Sequence, residues 1–198
     1  FNKVLTRAEN EADIAGFTAR KEADAKLGLI RGIGLCYYIE SILGDPSENA
    51  KIEYNDDGRV YIYVGTQSNG QGHETVYSKF LSDQTGISVD MIDVVQGDSD
   101  KIKVGGGTGG SRSVTVQNNA MLYTVKAMTE AFTSFLSEEM GVPAKDIAFD
   151  DERFRADGSN MTPTMLEVAD MARNKGRLDL LTHEERATLP ARSFPNGC

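Results

Sequence analysis

The chain has 198 residues, enough for one core or for one core with a small satellite unit. Thirty acidic residues against 21 basic ones give a formal net charge of −9, which argues against a surface built to neutralise nucleic-acid phosphates or anionic lipid. No stretch reaches the roughly 20 uncharged apolar residues of a membrane span and no charged-then-apolar leader opens the chain, so a cytoplasmic setting is expected.

Residues 1–26 are rich in Ala, Glu, Lys and Arg. Val4, Leu5, Ala8, Ala15 and Ala19 recur at helical spacing, which predicts a helical segment interrupted near Gly16. From Leu27 to Ile42 the pattern is that of an extended chain, with Gly28, Gly32 and Gly34 on one side and Leu29, Ile33, Leu35, Tyr37 and Ile39 on the other. Such glycines mark close backbone approach, and Cys36 in this apolar run reads as a small buried hydrophobe.

After Asp45-Pro46, a run from Ala50 to Tyr54 and the alternating Val60-Tyr-Ile-Tyr-Val64 flank Asn55-Asp-Asp-Gly58, which is hairpin chemistry. Tyr61 and Tyr63 are expected to share a sheet face. The second strand runs into Gly65-Thr-Gln-Ser-Asn-Gly-Gln-Gly-His-Glu-Thr75 and then into a helical pattern through Val76, Phe80 and Leu81. Met91 to Val95 predicts another strand, followed by Gly105-Gly-Gly-Thr-Gly-Gly-Ser-Arg-Ser113. That loop opens the longest helix, with a stripe of Val114, Met121, Val125, Met128, Phe132 and Phe135, ended by Gly141-Val142-Pro143.

A short strand at 147–149 and a turn at 156–159 come next. A further helix is expected with Thr162 as N-cap and Pro163 in its first position, stopping by Gly176. His183 reads as a residue at a helix start. The expected organisation is therefore a helical segment over 1–26, an α+β domain over 27–176 with a mixed sheet packed by helices, and an irregular tail over 177–198. Because the chain opens on Phe1 and closes on Pro195-Asn-Gly-Cys198, it is expected to be an interior piece of a longer one.

The two glycine-rich stretches share one organisation: a strand delivers the chain to a loop of small residues that feeds a helix N-terminus. First-turn N–H groups lack intrahelical partners, the helix dipole is positive there, and glycine admits a phosphate without a Cβ in the way. Gln71, His73, Ser111 and Ser113 add hydrogen-bonding side chains. Either loop alone is equally explained as a capped turn, but two in one chain favour a phosphorylated ligand carrying further polar groups. A nucleotide P-loop fails on glycine spacing, with Ser111-Arg112 where Lys-Ser/Thr is needed, and the dinucleotide fingerprint fails for want of its βαβ unit. Asp98 and Asp100 read as a solvated acidic turn and Asp150-Asp-Glu152 as a solvated run. Neither His73 nor His183 has partners at metal-ligand spacing, and Cys36 and Cys198 make no disulfide framework.

The strings Gly65 to Thr75 and Thr108-Gly-Gly-Ser-Arg-Ser113, joined by Met91-Ile-Asp-Val-Val-Gln-Gly-Asp-Ser99, closely resemble the large subunit of the aerobic carbon monoxide dehydrogenases, within the xanthine dehydrogenase and aldehyde oxidase family of molybdenum hydroxylases. The resemblance implies a large subunit holding molybdenum through molybdopterin, often as its cytosine dinucleotide. It also implies an iron–sulfur small subunit and an FAD-carrying medium subunit as partners, alongside the remainder of the same large subunit. It assigns cofactor contact to Gly70, Gln71, Gly72, His73 and Thr75 in the first loop, and to Thr108, Gly110, Ser111, Arg112 and Ser113 in the second. The family's catalytic glutamate, its Gly-Gly-Phe-Gly loop, the glutamine near the apical ligand and the active-site loop cysteine have no counterpart here. This piece is therefore expected to supply cofactor contacts but no chemical base, to lack the cofactor in isolation, and to bring its two loops together in space. A stand-alone module binding a phosphorylated small molecule is the alternative.

Overall fold

In a computed structural model that describes residues 2–198, the helices in chain order are α1 (Asn2–Glu11), α2 (Phe17–Ala25), α3 (His73–Thr85), α4 (Ser113–Met140) and α5 (Met165–Asn174). The strands are β1 (Tyr38–Ile39), β2 (Ser47–Tyr54), β3 (Val60–Val64), β4 (Ile92–Val95), β5 (Ile147–Asp150), β6 (Arg153–Ala156), β7 (Thr182–Thr188) and β8 (Asn196–Gly197). They fall into two units, one of residues 43–191 and one joining the N-terminal 42 residues to 192–198.

In the smaller unit the helical segment breaks where expected. Asp13 takes a left-handed conformation and its carboxylate accepts from the Gly16 N–H, so a 3-10 turn over Ile14–Gly16 separates α1 from α2. The extended 27–42 segment differs from expectation. Only β1 is strand, paired antiparallel to β8, and Leu27, Leu29, Ile33, Leu35 and Tyr37 are exposed, Ile30 fully so. Nothing lies within 4 Å of a Cβ built on Gly28, Gly32 or Gly34, and Cys36 is exposed. No strand neighbour within the described residues takes up this apolar face.

The larger unit is built on a four-stranded sheet in the order β4-β3-β2-β7. β2 pairs antiparallel with β3 through the predicted hairpin, in which Gly58 takes φ 78°, while β4 lies parallel to β3, which makes the sheet mixed. The alternation of β2 turns Glu48, Ala50, Ile52 and Tyr54 inward. Val60, Ile62 and Val64 of β3 face the same way. Helix α4 covers this face with Met121, Val125, Met128, Phe132, Phe135 and Leu136, and Gly141 in left-handed conformation caps it. Val114, expected in the stripe, is exposed at the first turn. On the outer face Tyr61 and Tyr63 do share one side, the Lys51 ammonium lying 3.7 Å from the Tyr63 ring centre.

Four local readings are corrected. The tail from Arg177 was expected to be irregular, yet Thr182–Thr188 pairs antiparallel with β2 over seven residues. The strand is an edge with Glu184, Glu185 and Arg186 exposed, so its alternation is masked by charge. His183 consequently sits in a strand, its ring edge-on to Phe132 at 5.6 Å and its Nε2 2.9 Å from the Leu180 carbonyl. The α5 cap is Thr164 rather than Thr162, because Thr164 and Glu167 form a reciprocal capping box that no residue two positions earlier can form. Asp151 and Glu152, read as a solvated run, are also the left-handed turn of the β5-β6 hairpin. Among the described residues no helix is long and apolar enough to cross a membrane.

Candidate functional site

The two glycine-rich loops converge, although 29 residues, 76–104, separate them. The Gly107 N–H donates to the Gly65 carbonyl at 3.1 Å, and the Thr108 hydroxyl donates to the Gln67 carbonyl. A Cβ on Gly65 would lie 2.5 Å from the Gly105 Cα, and one on Gly105 2.6 Å from the Gly65 Cα. Only glycine at both positions lets the backbones meet this closely. The parallel pairing of β3 with β4 explains the meeting: both loops leave the same end of the sheet.

Between them lies a cleft of about 430 Å³ lined by Gly65, Gln67 and Asn69 of the first loop, Gly105, Gly107 and Thr108 of the second, and Asp98 and Lys103 of the connecting segment. Its wall mixes backbone groups, amides, the Ser99 and Thr108 hydroxyls, the Lys103 ammonium and the Asp98 carboxylate, a set of donors and acceptors suited to a polar ligand.

Of the residues predicted from sequence, Thr108 lines this cleft directly, and the Ser113 hydroxyl holds it with a hydrogen bond to the Thr108 oxygen at 3.1 Å. Gly70 and Gly72 adopt φ of 101° and 79°, and between them the exposed Gln71 folds its Oε1 back onto the Asn69 N–H, leaving Nε2 without a partner among the described residues. Gly110 and Ser111 are consecutive left-handed residues, Ser111 exposed and Gly110 bonded through its carbonyl to the Leu43 N–H. Thr75 is exposed on the first turn of α3.

His73 and Arg112 are placed differently, both being buried. His73 Nδ1 lies 3.2 Å from the Thr66 carbonyl and its ring tilts against Tyr77. Beneath the first loop the Thr66 hydroxyl meets the Tyr77 hydroxyl and donates to Gln117, whose amide donates to the Asn49 carbonyl. Burial is the main reason the Tyr77 phenol is pushed up to about 12. Arg112 is bonded wholly to protein acceptors, among them Glu48.

The helix N-termini differ in availability. No side chain caps α4 at Arg112. At α3, Glu74 occupies the first turn, its carboxyl held below the usual carboxylate range first by its own backbone N–H and then by the Gln96 amide. The protein's own carboxylate thus already uses part of the anion site expected there. Gln67, Asn69, Lys103 and Gly105 escaped the sequence reading. The first two and the last stand in loops already singled out, whereas nothing in the spacing of Lys103 marks it.

The profile of the molybdopterin cofactor-binding domain family matches residues 7–198. The chain belongs to that family. Among curated proteins it is 30% identical over 175 residues to the carbon monoxide dehydrogenase large chain of Afipia carboxidovorans, covering 82% of this chain and 21% of that one. It is 26% identical over 164 residues to the nicotine 6-hydroxylase large subunit of Paenarthrobacter nicotinovorans, covering 76% and 20%. The crystal structure of the Cu,Mo-CO dehydrogenase in its carbon monoxide reduced state superposes with a TM-score of 0.80 at 26% identity, over 99% of this chain and 27% of that one. The chain spans about a fifth of the curated relatives it matches. The resemblance carried by the two loops is therefore borne out, and the mixed α+β architecture is that of a molybdopterin-binding region.

Proposed function

We propose that this chain is the part of a molybdenum hydroxylase large subunit whose two glycine-rich loops clamp molybdopterin, in a parent oxidoreductase of the carbon monoxide dehydrogenase type. The observation that carries the reading is the meeting of both loops on one cleft through the Gly65 and Gly105 backbones. The residues present fit the group: Gly70, Gly72 and Gly107 take positive φ with open space beside them, so backbone is left bare for a ligand, and the loops add amide and hydroxyl donors for a polar ring system and a lysine for a phosphate.

In this reading Gly70, Gln71 and Gly72 present backbone and an amide to the cofactor, and Gly110, Ser111 and the uncapped first turn of α4 present N–H groups. Thr108 and Ser113 act as a bonded hydroxyl pair. Thr75 extends the first loop's polar edge. When bound, the molybdenum centre supplies the oxidation chemistry, with oxygen taken from water. This chain contributes binding and orientation, and the parent's general base lies outside it; no catalytic or metal-ligating residue is assigned here. The cytosine dinucleotide form and the iron–sulfur and FAD subunits rest on the family resemblance, a cytoplasmic setting is proposed alongside them, and the substrate is a small molecule.

Gln71→Ala in the full-length large subunit tests the reading. Truncation removes the free Nε2 donor and leaves polar cofactor atoms unpaired at about 1–3 kcal/mol, which lowers retention roughly tenfold. Tyr61→Phe removes only a hydroxyl bonded to Asp57 and leaves molybdenum and pterin content unchanged. Equal content in both variants would overturn the assignment.

A further inference from the structure

The buried Arg112 and Glu48 do something the loop motifs do not announce. Their side chains are 3% and 1% exposed and pair at 2.9 Å. The guanidinium donates from Nε to the Asp45 carbonyl, from Nη1 to Gly107 and from Nη2 to Ser47, at 2.8, 2.6 and 2.6 Å. The same Glu48 oxygen that meets Arg112 accepts the Gly106 N–H at 2.9 Å. Its other oxygen stands where a Cβ on Gly65 would fall, at 2.5 Å, and the guanidinium stands where a Cβ on Gly106 would fall, at 2.6 Å. One ion pair thus underlies both loops: it bonds to the second and abuts the first.

Burying two charges is expensive, and well-packed apolar residues of similar volume often serve stability as well or better. A fully bonded pair placed under a ligand site therefore calls for a reason other than stability. We propose that Glu48 and Arg112 are positioning residues that set the spacing of the two loops across the cleft, acting on the cofactor only through Gly65, Gly106 and Gly107. This rests on the reading of the loops as a molybdopterin clamp, and it gives Arg112 a role behind the cofactor rather than against it.

Arg112→Lys is the variant of choice. It keeps a cation beside Glu48, but a single ammonium cannot serve the Asp45, Ser47 and Gly107 carbonyls together as the planar fork does. Amide exchange over 105–111 in the full-length large subunit should quicken at least roughly tenfold relative to the β2 and β3 amides. Molybdenum and pterin content of the full-length subunit should fall about tenfold. Should Arg112→Lys fail to fold, Glu48→Gln, which keeps an acceptor for Gly106 and removes the charge, carries the same expectation. Exchange that rises equally in loop and sheet overturns the proposal, since the pair would then be a general support. A loosened loop with wild-type pterin content, while Gln71→Ala still loses it, also overturns the proposal but leaves the clamp standing. If neither variant loses pterin, the clamp reading itself fails and the proposal with it.

Discussion

Gly65 and Gly105 lie back to back, with no room for a Cβ on either. Gly105→Ala should therefore push the two loops apart, with an overpacking penalty of about 1–3 kcal/mol. Gly109, by contrast, has open space around it and no positive φ, so Gly109→Ala should leave stability within about 0.5 kcal/mol of wild type. Urea unfolding of the two variants side by side checks this. Equal midpoints would mean that the close approach is not a constraint.

The α5 cap separates two threonines. Thr164→Ala removes a side-chain acceptor from the Glu167 N–H and half of a capping box, and should destabilise the domain by about 0.5–2 kcal/mol. Thr162→Ala, at an exposed residue whose bonded atom is its backbone carbonyl, should change little. The ordering of the two melting temperatures decides which residue caps the helix.

Phe132 packs against Tyr54, Phe154 and His183 with ring centres 5.6–6.3 Å apart, and is wholly buried. Phe132→Ala should cost about 3–5 kcal/mol of stability, read as a fall in the urea midpoint at unchanged slope. Phe149→Ala, at a half-buried position packed on the rim of the core, should cost less.

Beside Phe132, burial lowers the His183 pKa below its ordinary 6.5, opposed by its bond to Leu180 and by Asp179. The folded state therefore binds this proton less readily than the unfolded chain. His183 leaves stability untouched above the unfolded value near 6.5, and stability is lost as pH falls from there through the depressed folded value. His183→Gln should flatten that part of the pH–stability curve between about pH 7 and 5. An unchanged slope would mean that the imidazole is as free to protonate in the fold as in the unfolded chain.

Much of this was legible in the sequence because local chemistry and long-range packing agree. The Asn55–Gly58 turn, the Gly141 stop and the alternation of Val60–Val64 each say the same thing at both levels. The two loops stood out for the same reason, as glycines and hydroxyls between a strand and a helix. What failed depended on context. The apolar run Leu27–Ile39 shows strand periodicity, yet a strand needs a neighbour, and none of the described residues supplies one for most of it. Strand β7 was hidden by its charged edge face. Glu48 was missed because the β2 alternation was started at Ala50: carried back two residues, the same alternation turns a carboxylate inward, and an inward carboxylate needs a buried partner. The burial of Arg112 among protein acceptors was not legible either, because a motif gives position along the chain and not the direction of a side chain.

The central claim is that both loops hold one ligand, and the most direct measurement is amide hydrogen exchange of the large subunit carrying this sequence, compared with and without molybdopterin. Loading should slow exchange over 65–75 and 105–113 together, by roughly tenfold or more, while the α5 amides stay unchanged. Protection of one loop alone, or of neither, would contradict the shared clamp.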